Sequence, residues 1–305
     1  MQTSYRLPQL ETALAIALWA ISFISIKIAL QEVSPVTLIM LRYGMGWLIL
    51  GTATWLQGDF RRLRRSDLPR MAALGAVGVA LHQFLQVYGQ VSADASAAAF
   101  LASTAPAFMI LLGSVFLRER LNGWQILGVL LATAGAGIVS TGSPLQWAVD
   151  TDWAETGNLL VLLSAIVWAV YSIMSRSIVQ GRPPALITTG MMLSGWLISL
   201  PVFFFQRGWL EIPSLSPTGW GAILFTGVMS TAASFMLYNH ALKHAPASRL
   251  AAIQNIEPVI ATITAVLILG ETVSPAFVLG GSAILCGVIL AERQPTGKNK
   301  AHPAI

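Results

Sequence analysis

The sequence predicts an all-α membrane protein of ten transmembrane helices, built as two inverted five-helix repeats with the N- and C-termini cytoplasmic. Three observations carry this: a chain too poor in charge for a water-soluble surface, ten apolar runs of spanning length, and a residue pattern that occurs twice. Of 305 residues, 55% are hydrophobic and 10% charged, where soluble domains carry about 25% charged residues. The net charge of +5 sits in short clusters between apolar runs. It therefore reads as membrane orientation charge and excludes a nucleic-acid partner, which would need a basic face. The single cysteine, Cys286, cannot form an intrachain disulfide.

A helix needs about 20 apolar residues to cross the hydrocarbon core. Such runs lie at 11–31, 35–56, 69–89, 93–117, 122–141, 156–178, 185–205, 217–240, 246–269 and 273–291. The first could be a secretory signal, since Arg6 precedes it. Its length, Lys27 near its end and the lack of a small-x-small cleavage site favour a span. Most linkers are a few residues long, the exceptions being 57–70 and 141–155. With the N-terminus inside, Arg6, the five arginines between Arg61 and Arg70, Arg118, Arg120, Arg176, Arg182, Lys243, Arg249, Arg293, Lys298 and Lys300 all fall on the cytoplasmic side. Arg207, Glu211 and the acidic group Asp150, Asp152, Glu155 fall outside. The Arg61–Arg70 cluster can also touch anionic headgroups. An inner (plasma) membrane location follows as the expectation.

The repeat is the most informative feature. Trp19, Lys27, Pro35 and Gly46-Trp47-Leu48-Ile49 match Trp168, Arg176, Pro184 and Gly195-Trp196-Leu197-Ile198 at one constant offset. Ala95-Ser96, Pro106, Glu119, Gly128 and Gly135 match Ala247-Ser248, Pro258, Glu271, Gly280 and Gly287 at a second. Five spans per half force the second half to enter the membrane upside down, the inverted arrangement of secondary transporters.

Trp19 to Lys27, Pro35 and Arg42 resemble the opening helices of EamA domains in the drug/metabolite transporter superfamily. Ala93-Asp94-Ala95-Ser96, Pro106 and Glu119-Arg120-Leu121 resemble the end of a first such domain. Ala247-Ser248-Arg249, Glu257-Pro258 and Gly270-Glu271 resemble the end of a second. The resemblance covers residues 11–292 and implies a ten-helix permease moving metabolites, often outward, through a cavity between the halves. The second half departs from it in having Met191 where the first has Arg42. Repeats at 1–143 and 144–292 with a cytoplasmic tail at 293–305 are the expected division.

Ionisable groups inside spans are costly and usually face a cavity or partner. Lys27 and Arg42 are expected near the outer interface, either snorkelling to headgroups or pairing with Glu32, Asp94 or Glu271 as an outer gate. Glu257 precedes Pro258, whose missing donor breaks the helix; it is a candidate for coupling or a structural carboxylate, beside Gln254 and Asn255. In the third span His82, Gln86 and Gln90 share one helical face, with Gln83 alongside and Tyr88 close by. This polar stripe lines a cavity or a buried network. Trp19 and Trp168 sit inside their spans at matching positions, Tyr171 near the second; they line a site or simply pack. His240 suits interfacial exposure. The seven-residue glycine spacing on the fifth and tenth spans allows close packing, within the chain or across a dimer.

No Walker loop, zinc-type Cys/His cluster, HExxH or GxSxG is present. These absences argue against ATP-driven pumping, metal chemistry and an enzyme, and no cofactor is expected. The reading is a secondary-active or facilitative permease in the lipid bilayer, monomeric or homodimeric. Its site lies between the first, third, fourth, sixth, eighth and ninth spans, with a small molecule such as an amino acid as substrate. Efflux of hydrophobic drugs or amphiphiles is the alternative, and an intramembrane enzyme on lipid-linked substrates a more distant one.

Overall fold

The computed structural model describes residues 6–116, 121–142, 156–179, 182–244 and 253–292, and these are helical almost throughout. α1 is Arg6–Ala29 and α2 is Pro35–Leu56. α3 runs Leu68–Gly75, through a π-helical stretch Ala76–Leu81, to His82–Ser92. α4 is Ala95–Ala102 followed, after a turn at Ser103 and Thr104, by Ala105–Phe116. α5 is Gly123–Thr141, α6 Thr156–Val179 and α7 Pro184–Phe205. α8 joins Pro217–Leu224, a second π stretch Phe225–Ala233, and Ser234–His244. α9 is Glu257–Leu269 and α10 Pro275–Ala291. Among the described residues, eight helices are long and apolar enough to cross a membrane, whereas α9 and α10 are shorter apolar helices. The chain is a multi-pass membrane protein.

Local sequence sets the boundaries. Ser34, Ser216 and Ser274 each precede a proline, and each side chain accepts a backbone N–H from the first turn of α2, α8 and α10. Serine relieves an orphan donor, and proline removes one where none is needed. Asn122 and Gln125 form a reciprocal capping box at α5. Gly142 and Gly270 close α5 and α9 with φ of 66° and 69°, in the left-handed region that favours glycine.

Three expectations change here. The third and eighth runs are not regular α-helices, because each contains π-helical turns at its middle. In α8 the wider turns are partly mended by side chains: the Thr231 and Ser234 hydroxyls donate to carbonyls five residues back, at 2.8 and 3.0 Å. The fourth run is broken before Pro106, as proline's missing donor demands. Before Pro258 the described helix starts only at Glu257, and residues 245–252 lie outside the described residues.

The helices pack as exchanged pairs. α1 lies on α8 and α9, and α6 correspondingly on α3 and α4; α2 lies on α8, and α7 on α3; α2 also meets α7, and α5 meets α10. The α5–α10 contact depends on glycine. A Cβ built on Gly128 would lie 2.5 Å from the Gly287 carbonyl, and one on Gly135 would lie 2.6 Å from that of Gly280. The recurring glycines thus serve a contact inside the chain. One buried cluster joins Phe23, Phe100, Val161 and Ile284, and a second joins Leu38, Leu74, Met192 and Ile223. Large apolar side chains such as Phe205 and Leu267 stud the outside, as a lipid-facing surface requires.

Candidate functional site

The polar centre begins at Arg42 on α2, a buried guanidinium. Its Nε donates to Thr231 Oγ1 at 2.8 Å and its Nη1 to Gln83 Oε1 at 3.3 Å. Thr231 occupies the π stretch of α8 and hands its own proton to the Thr226 carbonyl. The wide turn therefore places an oxygen against the arginine. α2 comes close enough because Gly46 faces Thr231, where a Cβ would sit 2.6 Å from the threonine methyl.

Gln83 distributes its hydrogen bonds fully. Its oxygen accepts from Arg42, while its Nε2 lies 3.0 Å from His82 Nδ1 and 3.2 Å from Gln86 Oε1. Donation to Nδ1 leaves the other ring nitrogen of His82 as the proton carrier. The His82 ring packs at a tilt against Trp168 with centroids 4.9 Å apart, and Trp168 in turn against Tyr171 at 4.8 Å. Arg42, His82, Gln83, Gln86, Trp168 and Tyr171 thus form one continuous group from α2, α3 and α6. None of the ion pairs among the described residues includes Arg42. The Ser230 hydroxyl, next to Thr231, is buried without a hydrogen-bond partner among the described residues, as are both side-chain polar atoms of Gln90.

A matching group forms around Trp19 on α1. Its indole nitrogen donates to the Ser230 carbonyl at 2.9 Å, and its ring packs against Phe235 and Tyr238, each at 5.4 Å. Tyr238 accepts from Gln254 at 3.0 Å. Asn255 instead donates to Glu292 at 3.4 Å. Glu257 stands at the first turn of α9, and its carboxylate has no hydrogen-bond partner among the described residues.

Several expected placements differ. Arg42 does not pair with Glu32 or Glu271 and lies in the interior, since it is buried and bonded to α3 and α8. Glu32 accepts from the backbone and hydroxyl of Ser216 at 2.7 and 2.5 Å. Glu271 accepts from the backbones of Ala95 and Ser96 at 2.7 and 3.1 Å, closing the start of α4. Lys27 is neighbour to that closure, donating to the carbonyls of Gln90, Val91 and Ala93 at 3.1, 3.3 and 2.7 Å. Tyr88 faces away from the polar centre, stacking on Phe84 at 5.8 Å and accepting from Gln206 at 3.2 Å. His240, by contrast, is exposed as expected, and meets Glu11 at 2.9 Å. Glu119, Ala247, Ser248 and Arg249 lie outside the described residues. Thr231, Ser230, Phe235 and Tyr238 were missed by motif reading; the signal was the repeat itself, because Trp19 and Trp168 required equivalent pockets.

The profile of the EamA-like transporter family matches residues 10–141 and again 155–292. The chain belongs to the EamA-like transporter family. Similar relatives of this EamA-like chain include an uncharacterised transporter of Archaeoglobus fulgidus, 25% identical and aligned over 92% of this chain and 97% of its own length. Another is a probable terminal-alkyne amino-acid exporter of Streptantibioticus cattleyicolor, 26% identical over 94% of each chain. A solved crystal structure superposes with a TM-score of 0.63 at 21% identity, covering 93% of this chain and 96% of the other, which supports the fold. Both EamA matches contain one member of the Trp19 and Trp168 pair. The chain is a transporter, and that class is not an enzyme class.

Proposed function

We propose that this EamA-like transporter exports amino acids or closely related small metabolites across the inner membrane by alternating access. In this reading ten helices span the bilayer as two inverted repeats, 1–143 and 144–292, with both termini and the 293–305 tail cytoplasmic. The exchange of helix contacts between the halves supports the inverted arrangement, and the gathering of Arg61, Arg62, Arg64 and Arg182 at one end supports its orientation.

The observation that carries the substrate class is Arg42, a buried cation held by two neutral oxygens and no described carboxylate. A buried charge calls for a counter-charge, and a guanidinium suits the carboxylate of an amino acid through a paired fork. The Trp168–Tyr171–His82 ring cluster beside it gives the side chain an aromatic surface. The name of the Streptantibioticus relative points to the same class. A fixed cation repels cationic amphiphiles, so drug efflux fits less well. Lys27 and the Glu271 clamp act as the gate of one end, and Glu257 as the coupling carboxylate.

Counterflow in proteoliposomes preloaded with mixed amino acids tests this. Saturable exchange is expected for the parent, and for Arg42→Gln saturation only at about tenfold to a hundredfold higher amino-acid concentration. Exchange that survives Arg42→Gln unchanged defeats the carboxylate assignment, and no exchange of any amino acid by folded protein defeats the substrate class.

A further inference from the structure

The end of the molecule that carries the arginines holds a second polar pocket, lined by residues other than those around Arg42. The 57–70 connection folds as two 3-10 turns, Asp59–Arg62 and Arg65–Asp67, anchored across to the start of α7. Arg182 donates to Asp67 at 2.9 Å and to the Arg62 carbonyl at 3.2 Å, and Asp67 is itself buried. Arg61, Arg62, Arg64 and Arg182 surround a pocket of about 580 Å³. Asp59 offsets Arg62 at 3.7 Å and Asp67 offsets Arg182; among the described residues, Arg61 and Arg64 belong to no ion pair. The pocket is thus net positive and outward facing.

Next to it an apolar groove of about 490 Å³ runs up the outside of α2, α3 and α7, with Trp47, Trp55 and Leu197 among its walls. The two spaces are adjacent, with Leu63 on the wall of both. Trp55 and Phe60, which wall the groove, also border a third recess beside Arg61. A positive rim over an apolar channel, framed by an exposed tryptophan, has the polarity profile of one lipid molecule.

We propose that this face binds an anionic phospholipid, its phosphate on the arginines and an acyl chain in the groove. A free phosphate would use the rim alone, and a neutral lipid the groove alone; only an anionic phospholipid satisfies both. Such a lipid bridges α2 of the first half to α7 of the second, and it holds the turned linker against α7.

Native mass spectrometry of the full chain in a neutral detergent tests the proposal, with phosphatidylglycerol, phosphatidylcholine and glycerol phosphate as probes. Two variants accompany the parent: Arg61→Gln/Arg62→Gln, at exposed side chains, and Thr52→Trp, which fills the groove. Phosphatidylglycerol is expected to bind at least about tenfold tighter than phosphatidylcholine. The arginine variant should erase that preference, and Thr52→Trp should weaken both lipids. Equal binding of the two lipids overturns the proposal. So does displacement of phosphatidylglycerol by glycerol phosphate at matching concentration, a preference unchanged in the arginine variant, or binding of both lipids unchanged in Thr52→Trp. Circular dichroism confirms folding; if the arginine variant fails to fold, Thr52→Trp still decides.

Discussion

The side chain on which most depends is Arg42, and its environment is adjustable one atom at a time. Replacing it with Gln removes a charge-assisted contact, worth about 1.5–3 kcal/mol. The half-saturating concentration for amino-acid exchange is therefore expected to rise about tenfold to a hundredfold, read from concentration-dependent counterflow. Gly46→Ala should inactivate through a different route, because the new Cβ would displace Thr231 from the arginine. Overpacking of this kind costs about 1–3 kcal/mol. The clashing atom is the threonine methyl, so Gly46→Ala/Thr231→Ser keeps the hydroxyl, removes the clash and should recover exchange. A double variant as impaired as Gly46→Ala alone would show that the close approach serves something other than Thr231. Glu257→Gln is expected to leave exchange at equal pH intact while abolishing acceleration by a pH gradient, measured with gradient-driven uptake into proteoliposomes.

Helices in this chain are joined by clamps at their ends, and the clamps come in counterpart positions. Glu32, from the α1–α2 turn, holds Ser216 at the start of α8; Arg182, from the α6–α7 turn, holds Asp67 at the start of α3. Ser216 and Asp67 match at the same offset as the two tryptophans. The charge pattern is reversed while the geometry is kept, which is why comparing residue identities did not reveal it. Ser216 hydrogen bonds hold the Glu32 carboxyl below its ordinary value of 4.5. A depressed carboxyl contributes its stability above the unfolded value and loses it as pH falls through the folded one. Glu32→Gln should therefore melt below the parent at neutral pH, and the gap should close as the pH drops under 4.5; a constant gap would assign the effect to packing. The apolar runs made the helix positions legible, since membrane crossing dictates length and composition. The π turns were not legible, because hydropathy is blind to one extra residue per turn and only contacts make it visible: Thr231 on Arg42, and the Tyr171 ring against Gly78 in the π stretch of α3.

Across the whole molecule, the described structure is closed at the end where Glu271 caps α4 and Lys27 lies on the last carbonyls of α3. Under alternating access this end must part. Glu271→Ala removes acceptors for two backbone donors and should shift the population toward opening. In a Cys286→Ser background, Ala93→Cys is buried in the closed form, so its modification by a membrane-impermeant thiol reagent should accelerate in the Glu271→Ala variant. An unchanged rate would mean that Glu271 caps a helix without gating. The recurring Ala-Ser and Glu were visible in the sequence as a pattern, but their meaning as one clamp needed the α4 start and the α9–α10 turn side by side. The π stretches of α3 and α8 have a further consequence. Backbone ladders with a surplus residue open more readily than the α-helical turns on either side. In heavy water, amides at 76–81 and 225–233 should take up deuterium ahead of their neighbours, and a bound solute bridging Arg42 to Thr231 should slow them. Isotope uptake at those two segments would then report occupancy of a site enclosed by helices, with no probe attached to the protein.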